Sequence, residues 1–165
     1  MQAILGAFWQ IALLRQGPED LPDSQFLFAF AALLYIGVDM LVIVALYPAQ
    51  SYVQLLLADV LLLGAWATGL LAVFSLLSRA RRTLTALLGA GALLQVLVLP
   101  LSLLPALLPQ VIRILLLVLV LLWSVAVYGN ILARALSRSF GIGIAFAVVY
   151  FILSYEMVGQ LIPAN

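Results

Sequence analysis

Residues 111–133 read VIRILLLVLVLLWSVAVYGNILA, an apolar run in which the single charged side chain is Arg113. A helix rises 1.5 Å per residue, so about 20 apolar residues cross the roughly 30 Å hydrocarbon core of a bilayer. Comparable runs occupy residues 26–47, 53–77, 83–104 and 140–162. The sequence therefore predicts an all-α polytopic integral membrane protein with five transmembrane helices.

The composition excludes most familiar enzyme chemistry. The 165 residues are 67% hydrophobic and 8% charged, whereas soluble domains carry about a quarter charged residues. Without His or Cys the chain cannot by itself build haem ligation, Cys/His zinc sites, disulfides or His-based triads. Its seven basic residues are all Arg and are scattered, unlike a nucleic-acid footprint. We expect no enzyme activity, no cofactor, no metal and no nucleic-acid partner.

Residues 1–16 are too short to span a membrane but have one polar stripe, formed by Gln2, Gly6 and Gln10. This pattern predicts an amphipathic helix lying in the membrane interface, with Phe8 and Trp9 towards lipid or a partner. A polar turn, GPEDLPDS at 17–24, separates it from the first span, and Asp23 or Ser24 can cap the next helix. With no internal repeat or long linker, residues 1–165 are interpreted as a single membrane domain.

The arginines predict the orientation of the chain, because cytoplasmic flanks carry an excess of Lys and Arg. Only Arg113 lies on the side that we expect to be external. Six arginines fall on the side shared by the N-terminus and the second and fourth joints: Arg15, Arg79, Arg81, Arg82, Arg134 and Arg138. The split predicts a multi-pass inner-membrane protein with a cytoplasmic N-terminus and an external C-terminus. Arg without Lys in a Leu-rich chain is typical of a GC-rich bacterial source.

Two aspartates lie inside consecutive apolar runs. Asp39 and Asp59 are at similar distances from the Ala49-Gln50 turn, roughly 10 to 15 Å below it by helical rise. We expect them to face each other and to share a site, in which one keeps its proton because two carboxylates in low dielectric repel. The functional interpretation is a proton relay or ion site. The structural alternative is a hydrogen-bonded tie in which Tyr35 or Gln95 satisfies the acid.

Glu156 is the third acid within an apolar run, and Gln160 follows it by one turn. Arg113 enters the fourth span from the same side, so Glu156 and Arg113 are expected to form an ion pair across adjacent helices. The predicted buried polar set, which could bind protons, consists of Asp39, Asp59, Gln95 and Glu156.

Small residues at a spacing of four predict close helix contacts. The predicted packing positions are Ala65, Gly69, Thr85, Gly89, Gly143 and Ala147. They either pack the chain against itself or form a surface for a partner. A belt of aromatic residues near the two interfaces is also expected, formed by Trp9, Trp66, Trp123, Tyr47, Tyr52 and Tyr128.

The layout resembles that of bacterial Yip1-like proteins over most of the chain. The resemblance rests on the N-terminal segment, five closely spaced spans, the stretch TLTALLGAGALLQVLVLP at 83–100, and the 122–124 (LWS) and 136–138 (LSR) stretches. It implies a role in membrane organisation or partner binding.

We therefore expect a non-catalytic membrane protein that acts through helix–helix association, as an accessory subunit or an assembly or organising factor of a membrane complex. One alternative is a small transporter or a proton or ion pathway that uses the buried acids. Another is a lipid-handling or membrane-shaping protein. The expected partners are membrane lipids and either other membrane-protein subunits or further copies of the chain.

Overall fold

The computed structural model describes residues 2–103 and 109–162. Within these ranges there is no strand, and the α-helices are α1 (Gln2–Ala12), α2 (Gln25–Leu46), α3 (Tyr52–Val73), α4 (Ala80–Leu103), α5 (Gln110–Ala135) and α6 (Phe140–Leu161). In the same ranges five helices, α2 to α6, are long and apolar enough to cross a membrane. The predicted all-α, five-span fold is confirmed.

The joints explain where the helices begin and end. The Ser24 Oγ accepts a hydrogen bond from the Leu27 N–H at 3.3 Å and so caps α2. α3 ends at Val73, before the predicted residue 77, because Ser75 adopts a left-handed φ of 58° and a 3₁₀ turn follows. Residues 104–108, which are the last residue of the predicted third span and the first part of the joint that follows it, lie outside the described residues.

Short joints make consecutive spans antiparallel, so the bundle has two distinguishable ends. We call the end that carries the α3–α4 and α5–α6 joints the arginine end. The other, with the α2–α3 joint, is the opposite end.

Helix α4 is the centre of the bundle. It packs against α1, α2, α3 and α5, and its residues from Thr83 to Leu94 are mostly buried. This stretch includes Ala86, Gly89, Ala90, Gly91 and Ala92, and small side chains let neighbouring backbones approach closely. The small-residue stretch of the sequence therefore becomes the core.

Helix α1 is docked onto the bundle by its apolar face. Phe8 is fully buried with its ring against Gly89, while Trp9 is 45% exposed. The Trp123 Nε1–H donates to the Ala12 carbonyl at 2.8 Å, and Leu14 adopts a left-handed φ of 62° where the helix has ended. The expectation that Phe8 faces lipid or a partner is wrong, because α4 covers it. The Gln2 side chain of the predicted polar stripe lies outside the described part of the chain.

The predicted small-residue positions divide into two groups. Thr85 and Gly89 are buried on α4, and Ala147 is buried on α6. Gly143 lies directly against the Gly129 carbonyl and Ala133 of α5, leaving no space for a larger side chain.

Ala65 and Gly69, by contrast, are exposed on α3. A Cβ added at Gly69 would meet no atom within 4 Å. This pair therefore does not pack the chain against itself.

Candidate functional site

Polar side chains from all five spanning helices meet inside the bundle. We call this group the carboxyl–tyrosine cluster. Its members are Tyr35 and Asp39 on α2, Asp59 on α3, Gln95 on α4, Tyr128 on α5 and Tyr150 on α6.

Asp59 is held by phenol groups from two other helices. The Tyr35 hydroxyl donates to Asp59 Oδ2 at 2.5 Å, and the Tyr150 hydroxyl donates to Asp59 Oδ1 at 3.5 Å. The Tyr128 ring stacks on Tyr150, with 5.7 Å between their centroids, and Phe151 packs against both rings. The first bond is short, as expected of a hydroxyl donating to a carboxylate, and the second is at the limit of a hydrogen bond.

Asp39 is held from α4. The Gln95 Nε2 donates to Asp39 Oδ1 at 2.8 Å, and Asp39 is only 6% exposed. Among the described residues, Asp39 Oδ2 and Gln95 Oε1 are buried and have no hydrogen-bond partner. Buried polar atoms nearly always have a partner, so each of these two oxygens is available to a proton, a water molecule or a cation.

Gly91 allows the tyrosines to approach α4. A Cβ at this position would lie 2.5 Å from the Tyr128 hydroxyl and 2.9 Å from Cε2 of Tyr35. Real Cβ contacts are longer, so a larger residue would displace one or both rings. Gly91 and Gln95 are one turn apart, and α4 thus presents both to the cluster.

The cluster borders a cleft of about 230 Å³ between α4, α5 and α6. From Gly91, Tyr128 and Tyr150 it continues along Val98, Leu117 and Ser154, all of which lie nearer to the opposite end. Towards the arginine end the interior is filled by buried apolar side chains, including Phe8, Leu87, Ile131 and Leu132. The cleft therefore extends from the cluster towards the opposite end of the bundle.

No described basic side chain balances the charge of the cluster. The carboxyl groups of Asp39 and Asp59 interact electrostatically with each other. The two salt bridges of the described residues, Arg81–Asp23 and Arg134–Glu19, are both at the arginine end, away from the cluster. No group of three or more His, Cys, Asp or Glu able to hold a metal occurs in the described chain. Two ionised carboxylates at this depth would be costly, so the site suits a proton or a small cation that compensates one of them.

Three of the four predicted buried polar residues, Asp39, Asp59 and Gln95, come together here. The two aspartates do not bond to each other in the described structure, since Gln95 holds one and Tyr35 holds the other. The two acids are thus bonded separately within one cluster, and the shared proton stays a prediction.

Glu156 is not part of the cluster. It is exposed on α6, beside Tyr47 and Tyr155, and among the described residues it forms no ion pair with Arg113. Helices α5 and α6 meet closely at Gly129 and Gly143, near the arginine end. The α5 residues before Val127, which include Arg113, are not buried. Arg113 is therefore in a part of α5 that packing does not enclose.

The sequence interpretation missed Tyr128, Tyr150 and Gly91. Tyr128 was assigned to the interfacial belt, but it is buried among α4, α5 and α6. One available signal is a pair of polar or small residues one turn apart on each of four helices, α2, α4, α5 and α6: Tyr35 and Asp39, Gly91 and Gln95, Ser124 and Tyr128, Tyr150 and Ser154.

Comparisons with known proteins add no relative. No family model, no curated protein and no solved structure matches the chain. The resemblance to bacterial Yip1-like proteins therefore stays a prediction from the layout of the spans.

Proposed function

We propose that this multi-pass membrane protein binds a proton or a small monovalent cation at the carboxyl–tyrosine cluster, as part of a proton or ion pathway. The observation that carries the proposal is a pair of acids, Asp39 and Asp59, that meet in the bundle without a basic partner among the described residues. Ionisable groups at membrane depth are costly and typically mark proton or ion sites. The two unpartnered oxygens at Asp39 and Gln95 supply ligand atoms.

The shape of the cleft favours exchange with the opposite end. Leu117, Val98 and Ser154 lie along the route, whereas the packed core closes the way to the arginine end. The proposed exchange in this conformation is with the opposite end alone. Net transport would need a second conformation that opens the other side, whereas proton or cation binding needs none.

The test uses the double variant Asp39→Asn/Asp59→Asn. Asn can replace a protonated carboxyl nearly isosterically and still donates a hydrogen bond, so we expect the variant to fold. The wild-type protein, reconstituted in liposomes, should show a carboxyl infrared band that titrates with pH and a proton or Na⁺ flux. Both should be lost in the double variant.

Glu156→Gln is the matched control, because it removes an exposed acid outside the cluster. It should keep the band and the flux. A flux that survives in the double variant, or a folded wild-type protein with neither a titrating band nor cation-dependent thermal stability, would refute the proposed function.

A second candidate is the role of accessory subunit or assembly factor through helix–helix association. The observation that favours it is the exposed pair Ala65 and Gly69 on α3, which no described residue covers. A Gly69→Leu variant should then lose a stoichiometric partner that co-purifies in mild detergent. Gly37→Leu is the control, since Gly37 is exposed on α2 and equally open. Equal retention by both variants would exclude this face.

The remaining assignments are parts of the same proposal. We assign the protein to the inner membrane of a bacterium, with its N-terminus in the cytoplasm, on the strength of the arginine distribution. We assign it no enzyme activity. Its partners in this proposal are membrane lipids and, for the second candidate, other membrane subunits or further copies of the chain.

A further inference from the structure

A second cavity, of about 540 Å³, lies at the arginine end and is separate from the carboxyl–tyrosine cluster. The cavity is lined by three guanidinium groups and one carboxylate. The guanidinium groups belong to Arg79, Arg82 and Arg134, and the carboxylate belongs to Glu19. Its volume is within the roughly 300–1,000 Å³ that is common for small-molecule sites. We propose that this basic cavity binds the phosphate headgroup of an anionic phospholipid.

Three separate parts of the chain build the cavity: the turn at Pro18–Asp20, the start of α4 and the end of α5. The Arg79 Nη1 donates to the Ala135 carbonyl at 2.9 Å and to Ser137 Oγ at 2.7 Å. These bonds fix the guanidinium group of Arg79 between α4 and the α5–α6 joint. The site is therefore held in place before a ligand binds, which lowers the entropy lost on binding.

The donors that remain open are suited to phosphate. Arg134 uses Nε for Asn130 and Nη1 for Glu19, at 3.4 and 2.7 Å. The guanidinium group of Arg82 makes no hydrogen bond or ion pair within the described part of the chain. Arginine presents several N–H donors in a rigid plane that fits phosphate oxygens. Arg82, together with the unused nitrogens of Arg79 and Arg134, can thus surround one phosphate group.

The position of the cavity favours a lipid as the source of that phosphate. Arg82 is in the first turn of the spanning helix α4, and Arg134 is in the last turn of α5. The ends of spanning helices lie at the level of the headgroups, where basic pockets attract anionic lipids. Leu77, which is 56% exposed and two residues from Arg79, offers apolar surface for an acyl chain.

The experiment measures binding of short-chain phosphatidylglycerol and phosphatidylcholine to the full-length protein in detergent, by native mass spectrometry. We expect the wild-type protein to prefer phosphatidylglycerol. Arg82→Gln should weaken that binding roughly tenfold, the size expected for losing a charge-assisted contact. Arg81→Gln is the matched control, because Arg81 pairs with Asp23 and does not line the cavity. It should change binding less than about twofold, as is usual for a surface charge.

A second variant, which is expected to strengthen lipid binding, keeps the proposal testable if Arg82→Gln fails to fold. Glu19→Gln removes the carboxylate of the cavity and releases Arg134 Nη1, so it should tighten binding. Equal binding of the two lipids, equal effects of Arg81→Gln and Arg82→Gln, or no tightening in Glu19→Gln would overturn the proposal. The last measurement uses inorganic phosphate as a competitor of the lipid. If it displaces the lipid at matched concentration, the site takes a free anion and the lipid assignment is wrong.

Discussion

Gly91 shows how one residue sets the geometry of the cluster. Adding a Cβ at this position would push against the Tyr128 hydroxyl and the Tyr35 ring, both of which are buried. We expect Gly91→Ala to lower the free energy of unfolding by about 1–3 kcal/mol, the usual cost of overpacking a core. Unfolding in detergent mixtures, followed by circular dichroism, measures this change.

Gly37→Ala is the control for this substitution. Gly37 is also in a helix, but it is exposed and has no atom within 4 Å of a new Cβ. Alanine has a higher helix propensity than glycine, so this variant should be neutral or gain up to about 1 kcal/mol. Equal free energies of unfolding for the two variants would contradict the close approach of Tyr128 and Tyr35 to Gly91.

At the residue scale, the sequence identifies the donors Tyr35 and Gln95 but not which aspartate each of them bonds. Asp39 and Asp59 could be aligned because helical rise is constant and the turn between them is short. Which donor each acid receives depends on the rotation of α2 and α4 about their axes. Neighbouring helices set that rotation by packing. The sequence offers Tyr35 or Gln95 as the donor to one acid, whereas in the structure Gln95 donates to Asp39 and Tyr35 donates to Asp59.

At the scale of whole helices, hydropathy predicted all five spans because the membrane requires a continuous apolar run. Helix α1 shows what the hydropathy pattern does not predict. Its amphipathic pattern indicated an apolar face, but a sequence pattern cannot say whether lipid or protein covers that face. Phe8 fits against Gly89 because α4 carries a glycine at that height, and this match is visible only in three dimensions.

The docking of α1 makes a prediction about two adjacent aromatic residues. Phe8→Ala should destabilise the protein by about 3–5 kcal/mol, because it opens a cavity over Gly89. Trp9→Ala, at a position that is 45% exposed, should cost clearly less. Denaturant unfolding of both variants tests this, and limited proteolysis should cut Phe8→Ala first within residues 2–16. A larger loss for Trp9→Ala would contradict the docked position of α1.

For the whole molecule, the two salt bridges contribute little to stability. Arg81–Asp23, at 3.2 Å, and Arg134–Glu19, at 2.7 Å, tie the segment before α2 to α4 and α5. Their side chains are between 37% and 52% exposed, and surface pairs of this kind contribute about 0–1 kcal/mol each. The arginines at that end exceed what these pairs need. An excess of arginine at one end is what the positive-inside rule predicts for a cytoplasmic end.

The absence of native cysteine makes this orientation directly measurable. Single cysteines can be placed at Ser78, in the α3–α4 joint, and at Gln50, in the α2–α3 joint; both residues are exposed. With the N-terminus in the cytoplasm, a membrane-impermeant maleimide added to intact cells should label Gln50→Cys. Ser78→Cys should be labelled only after permeabilisation. The reverse pattern would mean that the arginine end is external. Equal labelling of both sites in intact cells would contradict their separation by the spanning helix α3, because no intact bilayer would then lie between the two joints.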